Sequence, residues 1–321
     1  MAYFLGIDGG GTKTRCVLAD ETRVLGKSMA GGCNIVRLGE TQARESLHSA
    51  IRQACAAAKT SADQIVAVCV GAAGAARPEI AARIRSIISE PFPTIDHANI
   101  EVVGDTVIAL EAAFGSGPGV IAIAGTGSIV YGRDAAGNTA RAGGWGFAIS
   151  DEGSGHWIGR RAISAIVDAH DRNVETLLTA MVLQSWKFTT LDELVQYANS
   201  TPPPDFPRLF PIVLRAADQS DAVARDLLAE AGARLAALAA IVVCRLAPPH
   251  AGSVEAPLPM TPIPIAPFPI SMTGSVFRQS AAVRQIFSAT LEGSFPGKGI
   301  DVRQDMSEPV EGALARARRK R

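Results

Sequence analysis

Aromatic residues make up only 5% of this 321-residue chain and charged residues only 19%, and its 31 basic and 31 acidic side chains cancel. A formal net charge of zero gives no broad electrostatic attraction to nucleic acid or to an anionic membrane. Cysteine is sparse and odd in number, at 16, 33, 55, 69 and 244, with neither a CxxC pair nor metal-ligand spacing. That pattern reads as reduced, mostly buried thiols, not as a disulfide framework or a zinc site. The five histidines, at 48, 97, 156, 170 and 250, are scattered, and neither Ser128 nor Ser154 lies in GxSxG, which argues against serine hydrolysis. No stretch approaches 18 uninterrupted apolar residues, and no basic region leads into an apolar segment with a cleavage site. The expectation is a cytoplasmic chain, neither secreted nor membrane-spanning.

What the chain does hold is 47% apolar residues and enough length for two domains of ordinary size. Two similar stretches organise it: Phe4-Leu-Gly-Ile-Asp-Gly-Gly-Gly-Thr-Lys-Thr14 and Ile121-Ala-Ile-Ala-Gly-Thr-Gly-Ser128. Each is an apolar run ending in a glycine turn, followed by a second β-like run, a polar turn and a third run ending in Gly-Gly (31–32 and 143–144). Glycine turns let backbone N–H groups approach a phosphate closely. The first turn has P-loop-like glycine spacing at Gly6 and Gly11, but Thr12 stands where that motif needs lysine, and Lys13 comes one residue late. Thr14 to Ala19 then reads as a strand, whereas a P-loop feeds a helix. Asp8 beside the glycines would repel phosphate unless a divalent cation intervened, which points to Mg²⁺. A plain glycine hairpin is the structural alternative.

Further along, apolar spacing predicts a helix from about Glu40, a strand over 64–70, a helix opened by Pro78 and a strand over 99–103 that ends in Gly104-Asp105-Thr106. Ala30 to Ile35 reads as a loop. Asp105 fits two roles: a helix N-cap, or a base that takes a hydroxyl proton during phosphoryl transfer. Gly115 to Gly119 reads as a hinge. The segment 143–155 is too glycine-rich for a core, and its adjacent acids Asp151 and Glu152 suit either ligand or scaffold. Trp145 there would stack on a sugar or pack. Helices are expected over 154–170 and onward to about Arg245, then a proline-dense loop from Pro248, a strand near Ile270, a helix from about Gln279 and a last helix over 309–319. The basic end Arg316–Arg321 reads as a solvated helix terminus suited to the helix dipole.

Taken together, Asp8-Gly-Gly-Gly-Thr12, Gly125-Thr-Gly-Ser128, Gly143-Gly-Trp-Gly146 with Asp151-Glu-Gly-Ser154, Thr273-Gly-Ser-Val276 and Glu308-Pro-Val-Glu-Gly-Ala-Leu314 resemble the motifs of actin/hexokinase-like sugar kinases. More narrowly, the chain resembles the N-acetylglucosamine kinase and bacterial glucosamine kinase group of the BadF/BadG/BcrA/BcrD ATPase family, nearly end to end. The resemblance implies an α/β fold of two ribonuclease-H-like (actin-like ATPase) domains with a cleft between them. The first would be 1–117 completed by helix 309–321, the second 118–308 with a proline-rich insertion near 248–267.

It further implies ATP and Mg²⁺ as cofactors, with the metal at Asp8. Phosphate would be held by Gly9, Gly10, Gly11, Thr12, Lys13, Thr126, Gly127 and Ser128, and adenosine by Gly274 and Ser275. Asn34, Asp105, Gly144, Trp145, Gly146 and Asp151 would contact an amino sugar, with Asp105 as base toward its 6-hydroxyl. Asn34-Ile35 and Ile149-Ser-Asp151 are more similar to the glucosamine kinases. N-acetylglucosamine is the near alternative, followed by N-acetylmuramic acid or a plain hexose. A homodimer is compatible with the resemblance, whereas nucleic acid and membrane partners are not expected. A regulatory ATPase that activates radical dehydratases would need paired cysteines for an iron–sulfur cluster, which this sequence lacks. A nucleotide-dependent interaction protein would leave Asn34, Asp105 and Asp151 idle.

Overall fold

A computed structural model describes residues 2–246, 268–296 and 299–320. The proline-rich stretch 248–267 lies outside the described residues. The chain divides into two units, Met1–Gly117 with Met306–Arg321, and Pro118–Asp305.

In the first unit, β1 (Tyr3–Gly9), β2 (Lys13–Ala19) and β3 (Val24–Gly31) form an antiparallel meander. Helices α1 (Ile35–Leu38) and α2 (Glu40–Ala58) lead to β4 (Ile65–Ala72), followed by α3 (Pro78–Ser89), β5 (Ile100–Gly104) and α4 (Asp105–Phe114). Strands β4 and β5 add in parallel beside β1, so the sheet order is β3-β2-β1-β4-β5. Strands β1 and β4 are near-continuous apolar runs because both their faces are covered. Leu5 and Ile7 pack with Leu47 and Ile51 of α2 and Ile84 and Ile88 of α3. Phe4 points the other way, as strand alternation requires, and packs with Ile108 of α4 and with Val310 and Leu314 of the C-terminal helix (Pro309–Arg318). That helix lies so close to β1 that a Cβ on Gly6 would stand 2.5 Å from the Leu314 nitrogen.

Two expectations are corrected in this unit. The stretch after β3 is not all loop: Asn34 caps the one-turn helix α1, its side-chain oxygen accepting from the N–H groups of Val36 (3.0 Å) and Arg37 (3.2 Å). The basic chain end is not simply solvated either. Arg316 pairs with Glu101 at 2.6 Å, and Arg319 pairs with Glu111 at 2.6 Å. Arg318 donates to the Asp20 carbonyl at 2.7 Å. These partners lie far off in the chain, on β5, α4 and the β2–β3 turn.

The second unit repeats the strand topology. Strands β6 (Gly119–Ala124), β7 (Ser128–Arg133) and β8 (Thr139–Gly143) form the meander. Helices α5 (Gly155–Asp171), α6 (Leu177–Trp186), α7 (Leu191–Ala198), α8 (Phe210–Asp218) and α9 (Ala222–Leu246) follow, then β9 (Phe268–Thr273), α10 (Ser275–Gln279), α11 (Ala281–Ser294) and β10 (Ile300–Val302). The order β10-β9-β6-β7-β8 mirrors that of the first unit. Pro269 has no N–H to donate, and it precedes the register with β6, which begins at Val120 opposite Ile270. The helix expected from Gln279 is two: α10 ends at Gln279, and α11 is capped by Ser280, whose hydroxyl accepts from the Val283 N–H. The three-residue β10 was not expected, being too short to leave a periodic pattern. Helix α9 is long and apolar enough to cross a membrane by length and composition alone, and half of that apolar window is buried inside the protein.

Candidate active site

In the first unit the C-terminal ends of three neighbouring parallel strands carry the predicted residues, which is where α/β sheets bind ligands. Asp8 lies near the end of β1, opposite Arg15 on β2 and Gly71 on β4. The Gly9–Thr12 turn is closed by the Gly10 N–H donating to the Lys13 carbonyl (2.9 Å). It is tied from outside by the Cys33 N–H donating to Gly10 (3.0 Å) and the Ala73 N–H donating to Gly9 (3.0 Å). Gly9 has to be glycine, because a Cβ there would strike the Cys33 sulfur. Thr12 and Lys13 are exposed at the rim of the turn. Asn34 follows Cys33 directly, so the same bond to Gly10 draws it toward the glycine turn.

Asp105 begins α4, immediately after β5. The residue at the cap position is Gly104, so Asp105 stands one place inside the helix and is not its N-cap. One of its oxygens accepts from the Thr106 N–H at 3.0 Å. Burial pushes its carboxyl above the ordinary carboxylate range, opposed by the N–H groups of Thr106 and of Asp105 itself. Asp8 is pushed up to about 6, first by burial and then by the charge of Asp105, while Arg15 and Lys13 pull the other way. The two carboxylates therefore share one electronegative corner. Among the described residues no group of three or more His, Cys, Asp and Glu side chains converges to cage a metal. A Mg²⁺ ion held by one or two carboxylates plus phosphate and water needs no such cage, so this corner fits it.

In the second unit the turn Gly125–Ser128 occupies the matching place, after β6. The Gly125 N–H donates to Gly127 (2.9 Å), and the carbonyls of Gly125 and Thr126 accept from Gly155 (2.8 Å) and His156 (3.2 Å) at the start of α5. The Ser128 side chain is buried and donates to the Glu152 carbonyl at 2.7 Å. Asp151 is buried at φ +86°, a conformation that disfavours any residue with a Cβ. It turns inward, one oxygen accepting from the Ser128 N–H at 3.4 Å, and its carboxyl is raised chiefly by burial. Gly274, at φ +106°, passes against the Ala124 backbone, where a Cβ would strike the carbonyl oxygen. A Cβ on Gly125 would stand 3.9 Å from the Ser275 hydroxyl, so the Thr-Gly-Ser segments gather at the ends of β6 and β9.

Gly144 and Gly146 both adopt positive φ and frame Trp145. Trp145 is not packed: it is 64% exposed, with the Arg141 guanidinium 4.0 Å from its ring centroid. The four cysteines of the first unit are buried, and burial drives the Cys16, Cys33, Cys55 and Cys69 thiols upward, away from the reactive thiolate form. Sequence reasoning missed Arg15, which both faces Asp8 and pairs with Glu308 at 2.5 Å. It also missed Cys33 as the prop beneath Gly9. Counting outward from the hairpin turn would have found Arg15.

Two ribonuclease-H-like sheets, each ending its first strand in a glycine turn, define the class of actin-like ATPases. The chain belongs to the BadF/BadG/BcrA/BcrD ATPase family, which it matches over residues 5–317. It is 34% identical over 240 residues to an N-acetylmuramic acid/N-acetylglucosamine kinase of Clostridium acetobutylicum, covering 73% of this chain and 77% of that protein. It is 31% identical over 238 residues to a glucosamine kinase of Vibrio cholerae, covering 73% and 78%. Among solved structures it is similar to a candidate N-acetylglucosamine kinase of Chromobacterium violaceum, with a TM-score of 0.74, 25% identity and 98% of each chain covered.

Proposed function

We propose that this protein is an ATP-dependent amino-sugar kinase that transfers the γ-phosphate to the 6-hydroxyl of glucosamine or N-acetylglucosamine, in the cytoplasm where ATP is made. The observation that carries the reading is that Asp8 and Asp105 stand at the ends of β1 and β5, parallel strands on either side of β4, in one electronegative corner beside a glycine turn. A base for phosphoryl transfer should be ionised yet hold a proton well, and burial raises the proton affinity of Asp105 toward that balance. Asp105 takes the proton of the sugar hydroxyl as its oxygen bonds to the γ-phosphorus, and the bond from that phosphorus to the ADP oxygen breaks. Asp8 would hold Mg²⁺, which supplies neutralisation of phosphate charge when bound. The turns at Gly9–Lys13 and Thr126–Ser128 present backbone to phosphate. Ser128 does so with its hydroxyl already committed, so its contribution is the main chain and the shape of the turn. Gly274 and Ser275 border adenosine.

On the acceptor side, Asn34, Gly144 to Gly146 and Asp105 meet the sugar. Asp151 steadies the Ser128 turn with one oxygen and has the other for the ligand. The Asn34-Ile35 pair favours glucosamine. The test is ADP release with Mg²⁺-ATP against glucosamine, N-acetylglucosamine and glucose in parallel. Stimulation by an amino sugar over glucose supports the reading. Steady hydrolysis indifferent to every sugar would replace it with a regulatory ATPase.

A further inference from the structure

Three glycines follow Asp8, and the fold accounts for two of them. A Cβ on Gly9 would strike the Cys33 sulfur, and one on Gly10 would stand 3.2 Å from the Lys13 carbonyl oxygen, closer than an ordinary contact. Gly11 answers to neither demand. Its φ is not positive. Among the described residues, and its chain neighbours aside, the one atom within 4 Å of its Cβ position is Nη1 of Arg37, at 3.6 Å. The fold itself therefore leaves room for a side chain at this position. An open place over bare backbone, with a guanidinium beside it, suits the close approach of an anion.

Arg37 is brought there by the way α1 is seated. The Asn34 side chain accepts from the Arg37 N–H at 3.2 Å, and the Gly39 N–H closes the turn on the Ile35 carbonyl at 3.0 Å. Ile35 is buried and anchors the helix in the core. Gly32 lets it rest against the glycine turn: a Cβ there would strike the Gly11 carbonyl and stand 2.9 Å from Cδ1 of Leu38. Elsewhere in the first unit Arg15, Arg44, Arg83, Arg316 and Arg319 pair with carboxylates, and Arg318 donates to a carbonyl. The Arg37 guanidinium has no such partner among the described residues, and its side chain is exposed. It thus has Asn34 on the acceptor side of the proposed site and Gly11 on the phosphate side. The group that passes between a sugar hydroxyl and the phosphates of ATP is the phosphoryl in transfer.

We infer that Arg37 is a catalytic residue whose guanidinium holds the phosphoryl group during its transfer, first as the γ-phosphate of ATP and then as the 6-phosphate of the sugar. The inference rests on the kinase reading above. The hydroxyl oxygen bonds to phosphorus, the bond to the ADP oxygen breaks and Asp105 takes the proton. Arg37 meanwhile donates N–H bonds to the phosphoryl oxygens and exchanges no atom. Charge spreads over those oxygens in the transition state, and a guanidinium fork matches them in two bonds. The test compares Arg37→Ala and Arg37→Lys in the full chain. Arg37→Ala should lower kcat about 10²-fold, the cost of removing one such donor, with the KM for sugar and the urea midpoint little changed. Calorimetry should find its affinity for the sugar 6-phosphate reduced about tenfold, and its affinities for ADP and for the free sugar kept. Arg37→Lys should recover part of both losses through charge alone. An unchanged kcat would overturn the inference. So would an equal loss of ADP affinity, which marks a nucleotide contact, an equal loss of free-sugar affinity, which marks a sugar contact, or a lower urea midpoint, which marks a structural role. If the wild type turns over no sugar, the kinase reading fails on its own and binding decides. The 6-phosphates of glucosamine and N-acetylglucosamine, bound by the wild type and lost in Arg37→Ala, would then uphold the contact, and no binding to the wild type would sink it.

Discussion

Asp8→Asn should make the first unit more stable, even as it removes the residue proposed to meet the metal. Burial and the neighbouring charge of Asp105 lift the Asp8 carboxyl from the ordinary 3.8 to about 6. Between those values the folded protein binds more protons than the unfolded chain, so stability falls as pH rises through the window, and the whole penalty is present above it. A rise of about 2 units at about 1.36 kcal/mol each sets a ceiling of roughly 3 kcal/mol. Asp8 is only partly buried, and water access trims this, leaving about 1–3 kcal/mol for asparagine to recover.

The gain should be largest near pH 7.5 without Mg²⁺ and should shrink as pH is lowered toward 4.5. The chain provides separate reporters for its two units. Cys16, Cys33, Cys55 and Cys69 are buried in the first unit, so in a Cys244→Ser background, labelling by an acid-tolerant disulfide reagent in urea follows that unit. All three tryptophans, Trp145, Trp157 and Trp186, lie in the second, so their fluorescence is the internal control. A variant with no gain at pH 7.5, or with the same gain at pH 4.5, would refute the electrostatic argument. A shift seen only in tryptophan fluorescence would place the effect in the wrong unit.

Asp105→Asn keeps the size of the side chain and loses the proton acceptor. It should lower kcat by about 10²–10⁴-fold while calorimetry finds sugar binding little changed. Because the base must be ionised, wild-type kcat/KM should fall as pH drops through the raised pKa of Asp105, read as the acid limb of a pH–rate profile. Gly312→Ala should cost about 1–3 kcal/mol by overpacking, since its Cβ would meet the Ile108 carbonyl and lie 2.6 Å from the Ala112 nitrogen. Gly293→Ala in α11, with nothing within 4 Å of its Cβ, should instead gain up to about 1 kcal/mol of helix propensity. Urea midpoints distinguish the two. Glu111→Gln leaves Arg319 without its anion and Arg316 with Glu101 alone, and Glu111 is only 4% exposed. We expect a loss of about 1.5–3 kcal/mol in the first unit, read by thiol labelling.

The glycine turns were legible in the sequence because their physics is local. Gly9 to Thr12 sits between an apolar run and a β-branched one, and that contrast alone specifies a hairpin. The repeat of the pattern after Gly119 made the two-unit α/β fold legible as well. The partners of the C-terminal arginines were not legible, since Arg316 and Arg319 reach Glu101 and Glu111 across 215 and 208 residues of chain. Nor was the inward turn of Asp151, because a positive φ at a non-glycine residue is imposed by the fold around it. Trp145 could be placed on a glycine-framed loop from its neighbours, but its stacking with Arg141 depends on where β8 ends. Helix α1 escaped because four residues carry too little periodicity to register.

The helix Pro309–Arg318 closes one face of the first sheet, yet the ribosome makes it only after the entire second unit. At about 5–20 residues per second, the intervening segment takes roughly 10–40 s to synthesise. Throughout that time Phe4, Val17, Ala67 and Cys69, which the finished protein covers with Val310, Ala313 and Leu314, have only Ile108 of α4 from their own chain against that face. The nascent protein therefore carries a greasy, half-built sheet longer than its length alone would require.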